Sequence, residues 1–399
     1  MTLTRISFLF PALALVAACG VDVDRAVEQR IEASNAFAVK LHRELAGTED
    51  GNIIVSPFSI SSAFGMIYAG ARSRTAEEMA RAFAFSGSDD EVHSALGRLT
   101  RDLDRSSTVA VANRLWCQKS FSLLESFTGL LKEKYDASAG SADFVSDPGG
   151  STESINRWVA EQTQDRIKDL LEPNDVDQDT RVVLVNAIYF KADWLTEFRK
   201  SSTTTDPHFE VTPGNFVEVP MMSGKLKVRR FDAPEVQVVE LPYAGSDLAM
   251  DILLPPRGVA LSKLEGSLDV SRLEGWLGSL TRDTVGVSMP RFEARFKLDL
   301  EGPLRKLGMV EAFSPAADLS GMTGKKNLHI SFARHQAFIK VDETGTEAAA
   351  ATAGGSVLIS NTDSEWIEVD RPFLFLIRDT ASGAILFMGR VVDPTAHAV

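Results

Sequence analysis

Between Phe338 and Asn361 the chain changes character twice, and this change restricts its fold more than any other stretch. Phe338, Lys340 and Asp342 alternate with Ile339, Val341 and Glu343 at the two-residue period of a pleated strand. The alternation stops at Gly345. Thr346, Glu347, Ala348, Ala349, Ala350, Ala351, Thr352, Ala353, Gly354 and Gly355 then offer almost no side chain from which to build a core. A flexible linker would be rich in Ser, Gly, Pro and charge, and an alanine helix would not run into two glycines followed by Ser-Val-Leu-Ile. The run reads as a segment made to fit two environments. As an extended strand from Gly345 it puts Thr346, Ala348, Ala350 and Thr352 on one face, and Glu347, Ala349 and Ala351 on the other. The first set is small enough to slide beneath a sheet.

At the other end, Arg5 precedes an apolar run from Ile6 to Ala18, followed by Cys19. The run is too short to span a bilayer as a mature helix and reads as an export signal. Val16-Ala17-Ala18-Cys19 resembles a bacterial lipobox, which implies cleavage before Cys19 and a lipid on its sulfur; plain secretion with a cut nearby is the alternative. The chain is therefore expected to divide into a signal over 1–18, a tether over 19–30 and one domain over 31–396, since no Pro/Gly/Ser linker or repeat splits the remainder. Only Cys19 and Cys117 exist, so a lipidated Cys19 leaves one thiol and no disulfide, and stability has to come from the core.

A formal net charge of -13 and a pI near 5.1 argue against a nucleic-acid or anionic-membrane binder. The one basic cluster is Lys225, Lys227, Arg229 and Arg230; the first three alternate and are expected on the solvated face of an edge strand.

Helical spacing of Ile31, Ser34, Ala38, Leu41 and Leu45 marks a first helix. A second starts at Ser56-Pro57, where Ser caps and Pro takes the first helical position. Thr75-Ala-Glu-Glu78 reads as a capping box opening a third, and Ser154 to Leu171 as a further helix. Arg181 to Phe190 is almost continuously apolar, as in a strand covered on both faces. Val236 to Tyr243, Leu248 to Leu254, Val285 to Met289, Phe332 to Val341, Phe373 to Arg378 and Ile385 to Val392 read as further strands, separated by turn residues. Helices early and strands late give an α+β fold.

Ser56, Ser59 and His335, with nearby acids, invite a catalytic triad. No G-x-S-x-G elbow is present, and His335 lies inside an apolar strand beside Phe338, so a structural role is expected and no enzyme activity. His42, His93, His208, His329 and His397 have no metal-ligand spacing, and no metal or cofactor is expected.

Glu343-Thr-Gly345-Thr346-Glu347, followed by Ala348 to Ala351, resembles the hinge and reactive-centre loop of a serpin. Asn52-Ile-Ile-Val-Ser56-Pro57-Phe-Ser59-Ile60, Asn186-Ala-Ile-Tyr-Phe190-Lys-Ala-Asp-Trp194, Met289-Pro290-Arg291-Phe292 and Arg371-Pro372-Phe373 are similar to further signatures of that family, in family order. The resemblance implies three β-sheets, about eight or nine helices and an exposed loop over Gly345 to Asn361. It implies an irreversible protease inhibitor whose cleaved loop inserts into the main sheet as a strand. Glu343, Gly345, Thr346, Glu347 and Ala348, Ala349, Ala350 and Ala351 would form the hinge. Ser56, Ser59, Asn186 and His335 would form a polar shutter beneath the central strands, and Trp194, Arg291 and Glu343 a breach where the loop enters, with Arg291 and Glu343 as an exposed pair.

Counting seventeen residues from Glu343, as loops of that family are counted, puts the reactive bond between Ile359 and Ser360, with Leu358 next to it. No Lys or Arg stands there, which points to elastase-, chymotrypsin- or subtilisin-like serine proteases and away from trypsin-like ones; Leu358 would also suit a papain-like cysteine protease. The expected partners are a covalently trapped protease and, through Cys19, a membrane of the cell envelope; the protein is expected to be monomeric. Gly354 and Gly355 depart from the pattern, since each glycine in an inserted strand costs roughly 0.5–1 kcal/mol relative to Ala. The alternative function is a non-inhibitory serpin acting as a binding or chaperone-like protein.

Overall fold

The computed structural model describes residues 12–104, 108–346 and 365–396, with side chains absent from the description at 12–23, 103–104 and 206–208. Glu347, Ala348, Ala349, Ala350, Ala351, Leu358, Ile359, Ser360 and His397 lie outside the described residues, and so does the side chain of Cys19. Helices α1 (Ala12–Ala46), α2 (Pro57–Tyr68), α3 (Ser73–Ala82), α4 (Asp89–Asp104), α5 (Glu125–Tyr135) and α6 (Pro148–Gln162) dominate the first part, with strands β1 (Ile53–Val55), β2 (Val109–Gln118) and β3 (Gly140–Ala142) among them. Strands β4 (Val182–Phe190), β5 (Ala192–Asp193), β6 (Thr203–Thr212), β7 (Asn215–Ala233), β8 (Val236–Pro242) and β9 (Leu248–Leu254) follow. After α7 (Leu261–Ser267) and α8 (Val270–Gly278) come β10 (Thr281–Pro290), β11 (Phe292–Asp299), α9 (Glu301–Lys306) and α10 (Ser320–Thr323). The chain closes with β12 (Phe332–Val341), β13 (Gly345–Thr346), β14 (Trp366–Glu368), β15 (Phe373–Asp379) and β16 (Ile385–Val391).

The start of α2 follows the sequence reading: Ser56 is the N-cap, its Oγ accepts from Ser59 N–H, and Pro57 opens the helix. The capping box at Thr75 does not form. The helix already begins at Ser73, and Thr75 and Glu78 cap other elements, accepting from Asp318 N–H at 2.9 Å and from the Val310 and Glu311 amides at 2.8 and 2.7 Å. The helix expected over Ser154 to Leu171 instead runs from Pro148, capped by Asp147, to Gln162. Gln164 and Asp165 then take positive φ, and the buried Thr163 hydroxyl accepts from Ile167 N–H, turning Ile167 and Leu171 into the core as irregular chain. Between β9 and β10, where turns were expected, α7 and α8 pack on the sheet.

One sheet has the order β3-β2-β4-β12-β13-β5, with β11 added beside β12. Its strand β4 is buried at every residue, as its apolar run implies. The other has the order β1-β16-β15-β9-β8-β7-β10-β14, with β6 beside β7. The resemblance implied three sheets. The 19-residue β7 pairs with β6 and β10 and, over Arg229–Ala233, with β8, so two of them run into one continuous ladder. Ten α-helices are present among the described residues. The two sheets enclose a core that includes Phe190, Trp194, Tyr243, Ile339, Val341, Phe373 and Phe387, and a second core lies under the helices.

β7 is an interior strand, which corrects the edge-strand expectation for the basic cluster. Lys225 and Lys227 are exposed, but Arg229 contacts Glu240 at 3.3 Å, and Arg230 contacts Asp283 and Glu365 at 2.9 and 2.6 Å.

Candidate functional site: hinge, breach and shutter

β12 ends at Val341 and the chain reverses within three residues. Asp342 N–H donates to Gly345 O at 2.9 Å, and Thr344 N–H donates to the Asp342 carboxylate at 2.9 Å. The returning strand β13 sits between β12 and β5: Thr346 pairs with Val341 on one side, while Gly345 and Thr346 pair with Asp193 and Ala192 on the other. Only glycine fits at 345, because a Cβ there would lie 2.2 Å from the Ala192 carbonyl oxygen. Thr346 is wholly buried, and its hydroxyl is 2.7 Å from the Tyr243 hydroxyl. The resemblance placed Gly345 and Thr346 in the exposed loop. They are instead already part of the sheet, held by strand pairing on both sides.

Trp194 anchors this entry from below. Its indole N–H donates to Asp342 O at 2.9 Å, its backbone N–H donates to Thr344 O at 2.8 Å, and its ring stacks on Tyr243 at 4.7 Å between centroids. Arg291 Nε donates to Glu343 at 2.9 Å, and Thr203 Oγ1 donates to the same carboxylate oxygen. The pair is not an exposed one. The Glu343 side chain is 2% accessible against 39% for Arg291, so the carboxylate depends on these donors. Burial pushes its pKa up, but the hydrogen bonds from Arg291 and Thr203 outweigh that and hold it below the usual carboxylate range.

Ser56, Ser59, Asn186 and His335, the residues expected to form a shutter, lie together. Asn186 on β4 lies opposite His335 on β12 and opposite Asn113 on β2, so the three polar residues form one row across the sheet. Asn186 Nδ2 donates to Ser59 Oγ at 2.6 Å and to the Asn113 side-chain oxygen, and His335 Nδ1 bonds Asn186 Oδ1. His335 Nε2 accepts from Ser56 N–H at 3.2 Å, which fixes the proton on Nδ1. Burial pushes the His335 pKa down to about 3. Ser56 Oγ donates to Leu386 O at 2.6 Å, not to the imidazole, so the cluster lacks the nucleophile-to-base hydrogen bond of a triad. It is a polar network joining the start of α2 to β2, β4, β12 and β16.

Asn113 and Tyr243 escaped the sequence reading. Asn113 is a half-buried polar residue within Val109-Ala-Val-Ala-Asn113, and only its register with Asn186 marks it. Tyr243 ends an apolar strand and reads simply as core. Among the described residues no group of three or more His, Cys, Asp or Glu side chains could hold a metal ion, and no helix is long and apolar enough to cross a membrane.

The family profile described as Serpin (serine protease inhibitor) matches residues 32–394. A leukocyte elastase inhibitor of Bos taurus is 40% identical over 380 residues, covering 92% of this chain and all of the relative. Antithrombin-III of Mus musculus is 37% identical and covers 94% of this chain, with 83% of its own length matched. The crystal structure of a serpin from the insect Tenebrio molitor, described as highly specific, superposes with a TM-score of 0.81 at 32% identity, covering 92% of this chain and 98% of that one.

Proposed function

The chain belongs to the serpin family, and on that premise we propose that it traps proteases irreversibly by loop cleavage and strand insertion. The observation that carries this reading is β13, a two-residue strand already lodged between β12 and β5 at the point where the sheet would accept more. Continuing the antiparallel register of Val341 with Thr346 sets Ala348 opposite Ile339, Ala350 opposite Ala337, Thr352 opposite His335 and Gly355 opposite Phe332, the first residue of β12. Val341, Ile339, Ala337 and His335 are buried, so the small residues 348, 350 and 352 match the face that has least room. Thr352 would arrive beside the shutter, where a hydroxyl can serve as a hydrogen-bond partner.

The protease's nucleophile attacks the carbonyl of Ile359; the bond to the Ser360 nitrogen breaks, Ser360 leaves as a new amine, and an acyl-enzyme remains on Ile359. Freed at that end, 347–355 moves between β4 and β12, which are joined in the intact chain by a parallel ladder over Phe332–Phe338. One ladder is exchanged for two, with further apolar burial, and that difference drives insertion. The intact form is thus held by kinetics. Leu358 and Ile359 favour elastase-, chymotrypsin- or subtilisin-like targets.

Incubation with a protease panel is expected to give an SDS-stable complex with elastase- or subtilisin-like enzymes and none with trypsin, releasing a C-terminal peptide that starts at Ser360. Cleavage without a stable complex, and without a gain in heat resistance, would identify a plain substrate and sink this reading. Val16 to Cys19 supports export with a lipid on Cys19. Cys19→Ser is then expected to move the protein from the membrane to the soluble fraction; a mature chain of unmodified mass starting beyond Cys19 overturns the anchor.

A further inference from the structure

We infer that Tyr243 is a positioning residue that seats the hinge before any protease arrives, so that insertion starts from an existing strand end; this rests on the inhibitor reading above. The Tyr243 ring cannot drift. It is buried, stacked face to face on Trp194 at 4.7 Å and set edge-on to Phe190 at 5.1 Å, and its backbone N–H donates to Leu248 O at 2.9 Å. The hydroxyl is therefore delivered to one place, 2.7 Å from Thr346 Oγ1, at a site with no access to water. The two hydroxyls satisfy each other, and either one alone would be a buried polar group without a partner. β13 has only two residues and a glycine at its first position, so beyond its backbone pairing with β12 and β5 Thr346 is its one side-chain anchor. Trp194 joins the two ends of the arrangement, since it stacks on Tyr243 and also bonds Asp342 O and Thr344 O in the reversing turn. Nucleating a strand between two others is its slow part, because chain entropy is lost before the ladder forms. With Thr346 already seated, that loss has been met in the intact protein. The acyl-enzyme can then be translocated before it hydrolyses.

The test compares wild type with Tyr243→Phe, Thr346→Val and the double variant. Tyr243→Phe keeps both ring contacts and removes only the hydroxyl, and Thr346→Val keeps the shape. In the uncomplexed protein, amide hydrogen exchange at Gly345 and Thr346 is expected to accelerate on the order of tenfold in each single variant. It should return toward wild type in the double variant, where no hydroxyl is stranded. With an elastase-like protease, the number of molecules cleaved per protease trapped should rise several-fold in each single variant and fall back in the double. Unchanged exchange in Tyr243→Phe, or a double variant as fast as the singles, overturns the seating role. Altered exchange with an unaltered cleavage-to-trapping ratio overturns the link to insertion. A wild type that traps no protease would instead remove the inhibitor reading, while exchange, which needs no protease, still decides whether Tyr243 seats the hinge.

Discussion

Asn186 has no water to fall back on. It is fully buried and serves Ser59, Asn113 and His335 at once. Asn186→Ala would leave the His335 Nδ1–H without an acceptor, at about 1–3 kcal/mol, while Ser59 and Asn113 keep the bond to each other. Because parting β4 from β12 breaks the same Asn186 to His335 bond, the substitution destabilises the closed sheet more than the open one. The variant is expected to melt several degrees lower and to lose inhibitory activity faster on warm incubation, while fresh protein traps protease normally. A melting temperature and activity lifetime equal to wild type would show that the row is not the catch between the strands. Arg291 gives a second residue-scale test. Arg291→Ala leaves a 2%-accessible carboxylate without its cation, so a marked loss of stability is expected at neutral pH. Glu343 is held below its ordinary range, so its contribution is present above about pH 4.5 and fades as pH falls below that. The stability gap between wild type and Arg291→Ala should therefore narrow in acid; a gap independent of pH would mean that Arg291 acts by packing alone.

The elements legible in the sequence were those whose own residues decide them. β12 and β9 occur with the bounds their apolar alternation gave, and Ser56-Pro57 starts a helix because a cap and a fixed φ are local facts. Elements defined by a distant partner were not legible. Thr75 and Glu78 have the spacing of a capping box, yet they bond the chain near residues 310 to 318, which sequence spacing does not bring near. The shutter residues Ser56, Ser59, Asn186 and His335 were nameable only through family resemblance, and Asn113 became visible only through its register with Asn186. The largest revision concerns Thr346: an Arg there would not test insertion cleanly, because that position is already buried in the intact chain. A better probe lies further along. On the proposed insertion register Ala350 would meet Ala337 only after cleavage, so Ala350→Arg should leave the melting temperature of intact protein unchanged. It should also convert the inhibitor into a cleaved substrate and abolish most of the heat resistance gained on cleavage. Trapping as efficient as wild type would mean that the strand does not pass Ala337.

At the scale of the whole molecule, buried groups push the pH response in opposite directions. Burial pushes His335 down to about 3 and His93, beside the Tyr135 hydroxyl at 2.8 Å, down to about 4. In the unfolded chain both titrate near 6.5, so their contribution is complete above that value and is lost as pH falls toward the folded pKa values. Asp251 runs the other way. Burial pushes it up to about 7 despite Arg378 at 2.7 Å, so the folded state holds a proton that the unfolded state has released, and its contribution declines as pH rises from about 4 to 7. Near pH 5 the unfolded state therefore holds protons on His335, His93 and His329, whose pKa burial also pushes down, while the folded state holds one on Asp251. The unfolded state thus binds more protons than the folded one, and stability falls on acidification across this range. His93→Gln can keep a hydrogen bond to Tyr135 but cannot take up a proton, which removes part of the unfolded state's proton excess. Its melting temperature should fall less steeply in acid than that of wild type. Parallel profiles for the two proteins would mean that His93 titrates in the folded state much as it does in the unfolded one, and that its burial in the helical core does not govern the acid sensitivity of the fold.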